Sequence, residues 1–233
     1  MKINEKRLPF TLLSVVCLAM AISPMVNYAA EPADGNAAFI KGLRDQDGTN
    51  LSADWKKSVG LDAKVKSVSR PRSFSPKVSR FKGWYIDSQG KHPGKSDDAA
   101  VDSVIMAKTP LASSYWQLVE TDRGYVIVAA GGPQQGRVLS VDETAPTRPE
   151  GRTLTVSECL RLTNKIGPTS FWDITLTSNG VVVESLAGKY KGWCWDFGGN
   201  AESAQQAGRE VAKNVLLAER EVAGSYYDVA PQP

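Results

Sequence analysis

The chain has 233 residues, with 28 Lys and Arg against 25 Asp and Glu, one His and three Cys, for a formal charge of +3. Residues 1–30 carry three of the bases and one acid, so without them the charge falls to +1, too little to direct the chain to nucleic acid or an anionic membrane surface. Two cysteines beyond residue 30 do not staple a mini-protein, and a chain of about 200 residues closes one ordinary core without covalent help.

Lys2, Lys6 and Arg7 precede an apolar stretch over residues 8–26 that ends near Asn27-Tyr28-Ala29-Ala30, the layout of a cleavable secretory leader. Ser23 and Pro24 interrupt the stretch, leaving it short of the roughly 20 apolar residues that span a bilayer. Cleavage after Ala30 is expected, with a secreted or periplasmic product and no stable membrane insertion. Cys17 leaves with the leader. One internal disulfide, Cys159 with Cys194, is then available in an oxidising compartment; the alternative is two buried thiols.

Residues 31–71 read as a partly helical N-terminal extension. Short helices are expected over residues 36–44 and 52–59, the second with Ser52 as its N-cap. Asp45-Gln46-Asp47-Gly48 reads as a turn, because the Gly comes early for a calcium loop and Lys56 stands where the closing Glu is needed. Residues 64–82 carry seven bases and no acid, which fits either a solvated linker or a docking strip for an acidic partner.

From residue 72 to 233 three segments align. Gly83-Trp84-Tyr85-Ile86-Asp87, Gly136-Arg137-Val138-Leu139-Ser140-Val141 and Gly192-Trp193-Cys194-Trp195-Asp196 are spaced by 53 and 56 residues. Ser114-Tyr115-Trp116-Gln117-Leu118, Ser170-Phe171-Trp172-Asp173-Ile174 and Ser225-Tyr226-Tyr227-Asp228-Val229 are spaced by 56 and 55. Between them lie the aliphatic triplets Val104-Ile105-Met106, Leu154-Thr155-Val156 and Val215-Leu216-Leu217, and each segment is preceded by a strand-like run over 73–81, 124–128 and 180–184. Four short strands in each of three units predict an all-β domain of β-trefoil type, since one unit has no way to bury its apolar face alone and three together close a barrel. Tyr115, Phe171 and Tyr226 are expected in its core.

Catalytic material is sparse. The single histidine, His92, stands in a Gly90-Lys91-His92-Pro93-Gly94 turn, so histidine triads and multi-histidine metal sites have nothing to build on. No phosphate loop or nucleophile elbow is present. The expectation is a non-enzymatic protein with no cofactor and no metal.

Over about residues 72–230 the three units resemble the ricin-B-type β-trefoil lectins. Gly192-Trp193-Cys194-Trp195-Asp196 and Cys159 fall on the two cysteine positions of that family, and Trp116 and Trp172 on its closing tryptophans. The resemblance implies a sugar pocket that uses the opening Asp, a stacking aromatic and an amide. The Asp is present as Asp87 and Asp196 and becomes Ser140 in the middle unit; the aromatic falls on Ala107, Ser157 and Ala218; Ser114, Ser170 and Ser225 stand in the amide place. The implied function is recognition of a glycan, a cell-surface receptor or a partner protein, as in the degenerate trefoil subunits that flank cytolethal distending toxin. A trefoil inhibitor of a hydrolase, acting through the loops over 140–154 or 197–215, is the alternative.

The candidate ligand-binding residues are Trp193, Trp195, Asp196, Asp87 and Tyr190. Alternation along a strand puts Trp193 and Trp195 on one face and Cys194 on the other. If Cys194 points inward, both indoles face solvent beside Asp196; the opposite phase buries them.

Overall fold

The computed structural model describes residues 53–78, 80–88, 104–197, 203–206, 208–212 and 215–233. The expected leader, the helix over 36–44, the Asp45–Gly48 turn and the His92 turn lie outside the described residues. The protein is all-β: the described residues form seventeen strands and one α-helix.

The helix, α1 (Ala53–Val59), occupies the place predicted for the second extension helix. It stops at Gly60, whose φ of +70° carries little strain only in a residue without a Cβ. Gly60 N–H donates to Lys57 O and Leu61 N–H to Lys56 O, which satisfies two of the last carbonyls of the helix. The chain then enters β1 (Val65–Val68), which pairs antiparallel with β5 (Trp116–Thr121). Trp55, Leu61, Ala63, Val65 and Val68 pack over Val59, Val119, Val126, Val128, Val138 and Phe171. The start of the basic stretch is therefore a paired strand. Lys64 and Lys66 face solvent while Val65 and Val68 are partly covered, on either side of a register shift between Val65 and Ser67, so this part of the basic stretch is strand and not linker.

Six strands close a hydrogen-bonded ring. β2 (Arg72–Pro76) pairs with β5, β5 with β6 (Gly124–Ala129), β6 with β11 (Phe171–Thr177), β11 with β12 (Gly180–Ser185), β12 with β17 (Tyr227–Pro231), and β17 returns to β2. A closed ring leaves none of its six strands as an edge. Three further pairs are antiparallel hairpins or their equivalents: β3 (Tyr85–Asp87) with β4 (Ile105–Ala107), β7 (Val138–Val141) with β10 (Leu160–Thr163), and β13 (Cys194–Phe197) with β16 (Val215–Ala218).

The third strand of the middle segment is thus Leu160–Thr163, not the expected Leu154-Thr155-Val156. Register makes the match: Asp87 pairs with Ile105, Ser140 with Arg161 and Asp196 with Leu216. Leu154–Val156 instead belongs to an inserted hairpin, β8 (Arg148–Glu150) with β9 (Thr153–Ser157), which pairs onto β16. A second inserted hairpin, β14 (Ser203–Gln206) with β15 (Arg209–Ala212), pairs onto β4.

A short 3-10 turn precedes each closing strand, over Ala112–Ser114, Pro168–Ser170 and Ala223–Ser225. In each, the last serine accepts a hydrogen bond from the backbone N–H three residues before it: Leu111 to Ser114 (3.1 Å), Gly167 to Ser170 (3.1 Å) and Val222 to Ser225 (3.2 Å). All three serines are fully buried. They hold the turn, which is why a serine recurs at this place.

The core is aromatic. Trp195 meets Phe74, Trp172 and Tyr227 edge-on at centroid distances of 5.3, 5.6 and 6.1 Å, the favoured arrangement for ring quadrupoles. Trp116 and Trp172 are fully buried, and their indole N–H groups donate to Ile86 O (3.0 Å) and Leu139 O (3.3 Å). Of the residues expected in the core from the preceding position, Phe171 is buried but in the cluster under α1, and Tyr115 and Tyr226 are half-buried. One step along a strand reverses the face, so the central core takes Trp116, Trp172 and Tyr227 instead.

Candidate functional site

The three opening positions sit in equivalent register and meet three different fates. Asp87 lies on β3 against the turn Ala112–Ser114 and is completely buried. It accepts hydrogen bonds from Ser113 Oγ (3.0 Å) and Ser114 Oγ (2.5 Å), and a two-point ion pair from Arg209, Nη1 to Oδ2 at 2.8 Å and Nη2 to Oδ1 at 2.9 Å. Arg209 comes from the inserted strand β15 and also donates to Thr109 O. A carboxylate held by a guanidinium fork and two hydroxyls has little capacity left for a ligand. Within the fold Asp87 anchors the inserted strand β15 to β3.

In the middle segment the shorter Ser140 makes one hydroxyl contact, to Thr169 Oγ1 at 2.8 Å. Thr169 stands in its turn where Ser113 stands in the first.

Asp196 has the opposite environment. It is 6 % exposed, and Oδ1 has no hydrogen-bond partner. The residue opposite, where Ser113 and Thr169 supply a hydroxyl, is Gly224; a Cβ there would fall 1.9 Å from Asp196 Oδ1. Burial pushes the carboxyl up to about 6, opposed by a hydrogen bond from the Phe197 backbone N–H and reinforced by the negative charge of Glu150.

Trp193, Trp195 and Tyr190 take the second of the two phases. Trp195 is fully buried at the centre of the core, so it presents no platform to a ligand; β13 turns it inward because the ring of strands has to be filled there. Tyr190 is buried too, with its hydroxyl donating to Ala145 O at 2.5 Å, Lys189 above its ring and Trp193 edge-on at 4.9 Å. Trp193 is half-buried and packs against the same core. Of the five candidate residues, Trp193 keeps accessible apolar surface and Asp196 keeps unsatisfied polarity. Trp195, Tyr190 and Asp87 do not form a surface site with them.

Cys159 and Cys194 are both buried thiols with no bridge between them. Cys159 lies in the central core and donates to Val156 O at 3.3 Å. Cys194 points off the face of β13 opposite to Trp195, so the strand itself separates the two sulfurs. Burial, then the charges of Glu184, Glu221 and Asp196, push the Cys194 thiol up to about 12. The corrected register also moves Cys159 to the residue before β10, away from the cysteine position the resemblance assigned it.

At the place of the stacking aromatic the register puts Ala107, Thr163 and Ala218, the middle residue being Thr163 and not Ser157. No family model matches the chain, and no curated protein matches it.

Proposed function

We propose that the protein is a secreted, non-enzymatic β-trefoil that recognises a partner protein or surface receptor, a degenerate relative of the ricin-B-type lectins comparable to toxin-associated trefoil subunits. Its trefoil character is supported by the six-strand ring, the three additional strand pairs in common register and the three serine-held turns. The observation that carries the preference for a protein over a glycan is the closure of Asp87 by Arg209, together with small residues where a sugar ring would stack. A family-type sugar pocket needs an open carboxylate beside an aromatic face, and neither is offered together. A glycan array probed with the chain starting at Glu31 tests this. No sugar binding that depends on Asp87 or Asp196 is expected; saturable sugar binding that a folded Asp196→Asn variant loses overturns the proposal.

A second reading, inhibition of a hydrolase, draws on the β8–β9 hairpin. Arg148, Pro149, Glu150 and Arg152 are exposed there, and Leu154 is 41 % exposed. A protease that cleaves after basic residues is the target this hairpin fits, and an inhibition assay against trypsin-like enzymes decides it.

A further inference from the structure

The two strand systems that carry Asp87 and Asp196 have the same register through three strands. Asp87 pairs with Ile105 on β4, and Ala107, two residues on, pairs with Val211 of the inserted strand β15. Asp196 pairs with Leu216 on β16, and Ala218, two residues on, pairs with Thr155 of the inserted strand β9. The next backbone bond also matches: Lys108 N–H donates to Glu210 O, and Glu219 N–H to Leu154 O, each at 3.0 Å. Thr153 therefore stands where Arg209 stands, and Gly224 where Ser113 stands.

In the first system the protein shows how it satisfies a carboxylate at this place: a guanidinium fork from the inserted strand and two hydroxyls from the turn, those of Ser113 and Ser114. The other system keeps the carboxylate and, as Ser225, the last serine of the turn, but has Thr153 in place of the guanidinium and Gly224 in place of the Ser113 hydroxyl. Asp196 remains 6 % exposed with Oδ1 unbonded. Arg220 bonds outward to Arg152 O (2.8 Å) and Thr153 Oγ1 (3.4 Å) rather than to Asp196, and the charge that acts on Asp196 is the negative one of Glu150. Removing one member of such a pair leaves a buried charge at high cost, and among the described residues Asp196 keeps one donor, the Phe197 backbone N–H, with Oδ1 left to be matched by a donor from outside.

We propose that Asp196 is the acceptor for an arginine side chain of a partner protein, whose guanidinium enters beside Thr153 and Gly224 and reproduces the Arg209–Asp87 fork. Exposed Glu150 on β8 adds attraction for a cation at that approach. Guanidinium fits better than ammonium because its fork matches both carboxylate oxygens at once. The proposal rests on the reading of the chain as a partner-binding module and names the chemistry of one contact.

The test uses the chain from Glu31 with N-acetyl-arginine amide as probe, its lysine and citrulline counterparts as controls, and the carboxyl carbon resonance of Asp196 as readout. The arginine probe is expected to lower the titration midpoint of Asp196 by about 1–3 pH units, while citrulline leaves it in place and lysine moves it less. Thr153→Arg, which supplies the guanidinium in cis, is expected to lower the midpoint without probe and to abolish the response to it. An Asp196 midpoint unmoved by the arginine probe up to its solubility limit overturns the proposal, as does a folded Thr153→Arg protein in which Asp196 titrates as in the wild type. If Thr153→Arg does not fold, the probe titration of the wild type decides alone. Failure here leaves partner capture by the whole chain intact, so the two readings fall separately.

Discussion

Asp87 and Arg209 are 122 residues apart in sequence and meet in a buried two-point ion pair, at 2.8 and 2.9 Å, that fastens the inserted hairpin of the last segment to the opening strand of the first. Their side chains are 0 % and 6 % exposed. Two hydroxyls complete the carboxylate shell, so the pair is compensated on the acid side by hydrogen bonds as well as by charge.

Breaking this pair from one side is expected to cost about 3–5 kcal/mol of folding stability, because the surviving charge stays buried. Urea unfolding of Asp87→Ala, Arg209→Ala and the double variant measures it. The double variant is expected to lose clearly less than the sum of the singles; additive losses would mean that the two side chains do not act on each other.

Asp196 gives the stability a pH dependence of opposite sign to that of a salt-bridged acid. Its carboxyl is raised to about 6 by burial, so the folded chain holds the proton more tightly than the unfolded chain does. The stability this supplies is complete below about pH 4 and is lost as the pH rises through 6, a change on the order of 2–3 kcal/mol. Asp196→Asn is expected to flatten that slope and to be the more stable protein at pH 8. An unchanged pH profile in the variant would contradict the assignment.

The thiols are expected to be inert in the native state. With Cys194 pushed up to about 12 and Cys159 buried in the core, a thiol reagent at pH 8 finds almost no thiolate. Denaturation without reductant is expected to release two titratable thiols; none would show that a disulfide forms.

Trp193 and Trp195 separate surface from core. Trp195→Ala removes a fully buried indole with three aromatic neighbours and is expected to cost roughly 3–5 kcal/mol. Trp193→Ala is expected to cost less, since Trp193 is only half-buried. Thermal unfolding of both variants checks the order, and a reversed order would place Trp193 in the core.

The all-β class, the short helix before residue 60 and the recurring closing strands were legible because each rests on local pattern: alternation, turn residues and spacing. The third strand of the middle segment was not. Leu154-Thr155-Val156 and Leu160-Arg161-Leu162 are both aliphatic, and only pairing with Val138–Val141 distinguishes them. The phase at Trp193-Cys194-Trp195 was legible as two alternatives, since a strand's period fixes which residues share a face and not which face is inward. The ion pair of Asp87 with Arg209 left no local signal, its partners being joined through an insertion. The serines at 114, 170 and 225, read as a lost amide, are turn caps; their spacing three residues after Leu111, Gly167 and Val222 was the available clue.

Capture of a protein by the chain starting at Glu31 is the direct test of partner recognition. The chain is immobilised and exposed to host-surface and culture fractions, and bound material is challenged first with free sugars and then with free arginine before mass spectrometry. One reproducible protein species is expected, which sugars do not release and a denatured sample of the chain does not retain. Release by a monosaccharide, or retention of glycans with no protein partner, would contradict partner recognition.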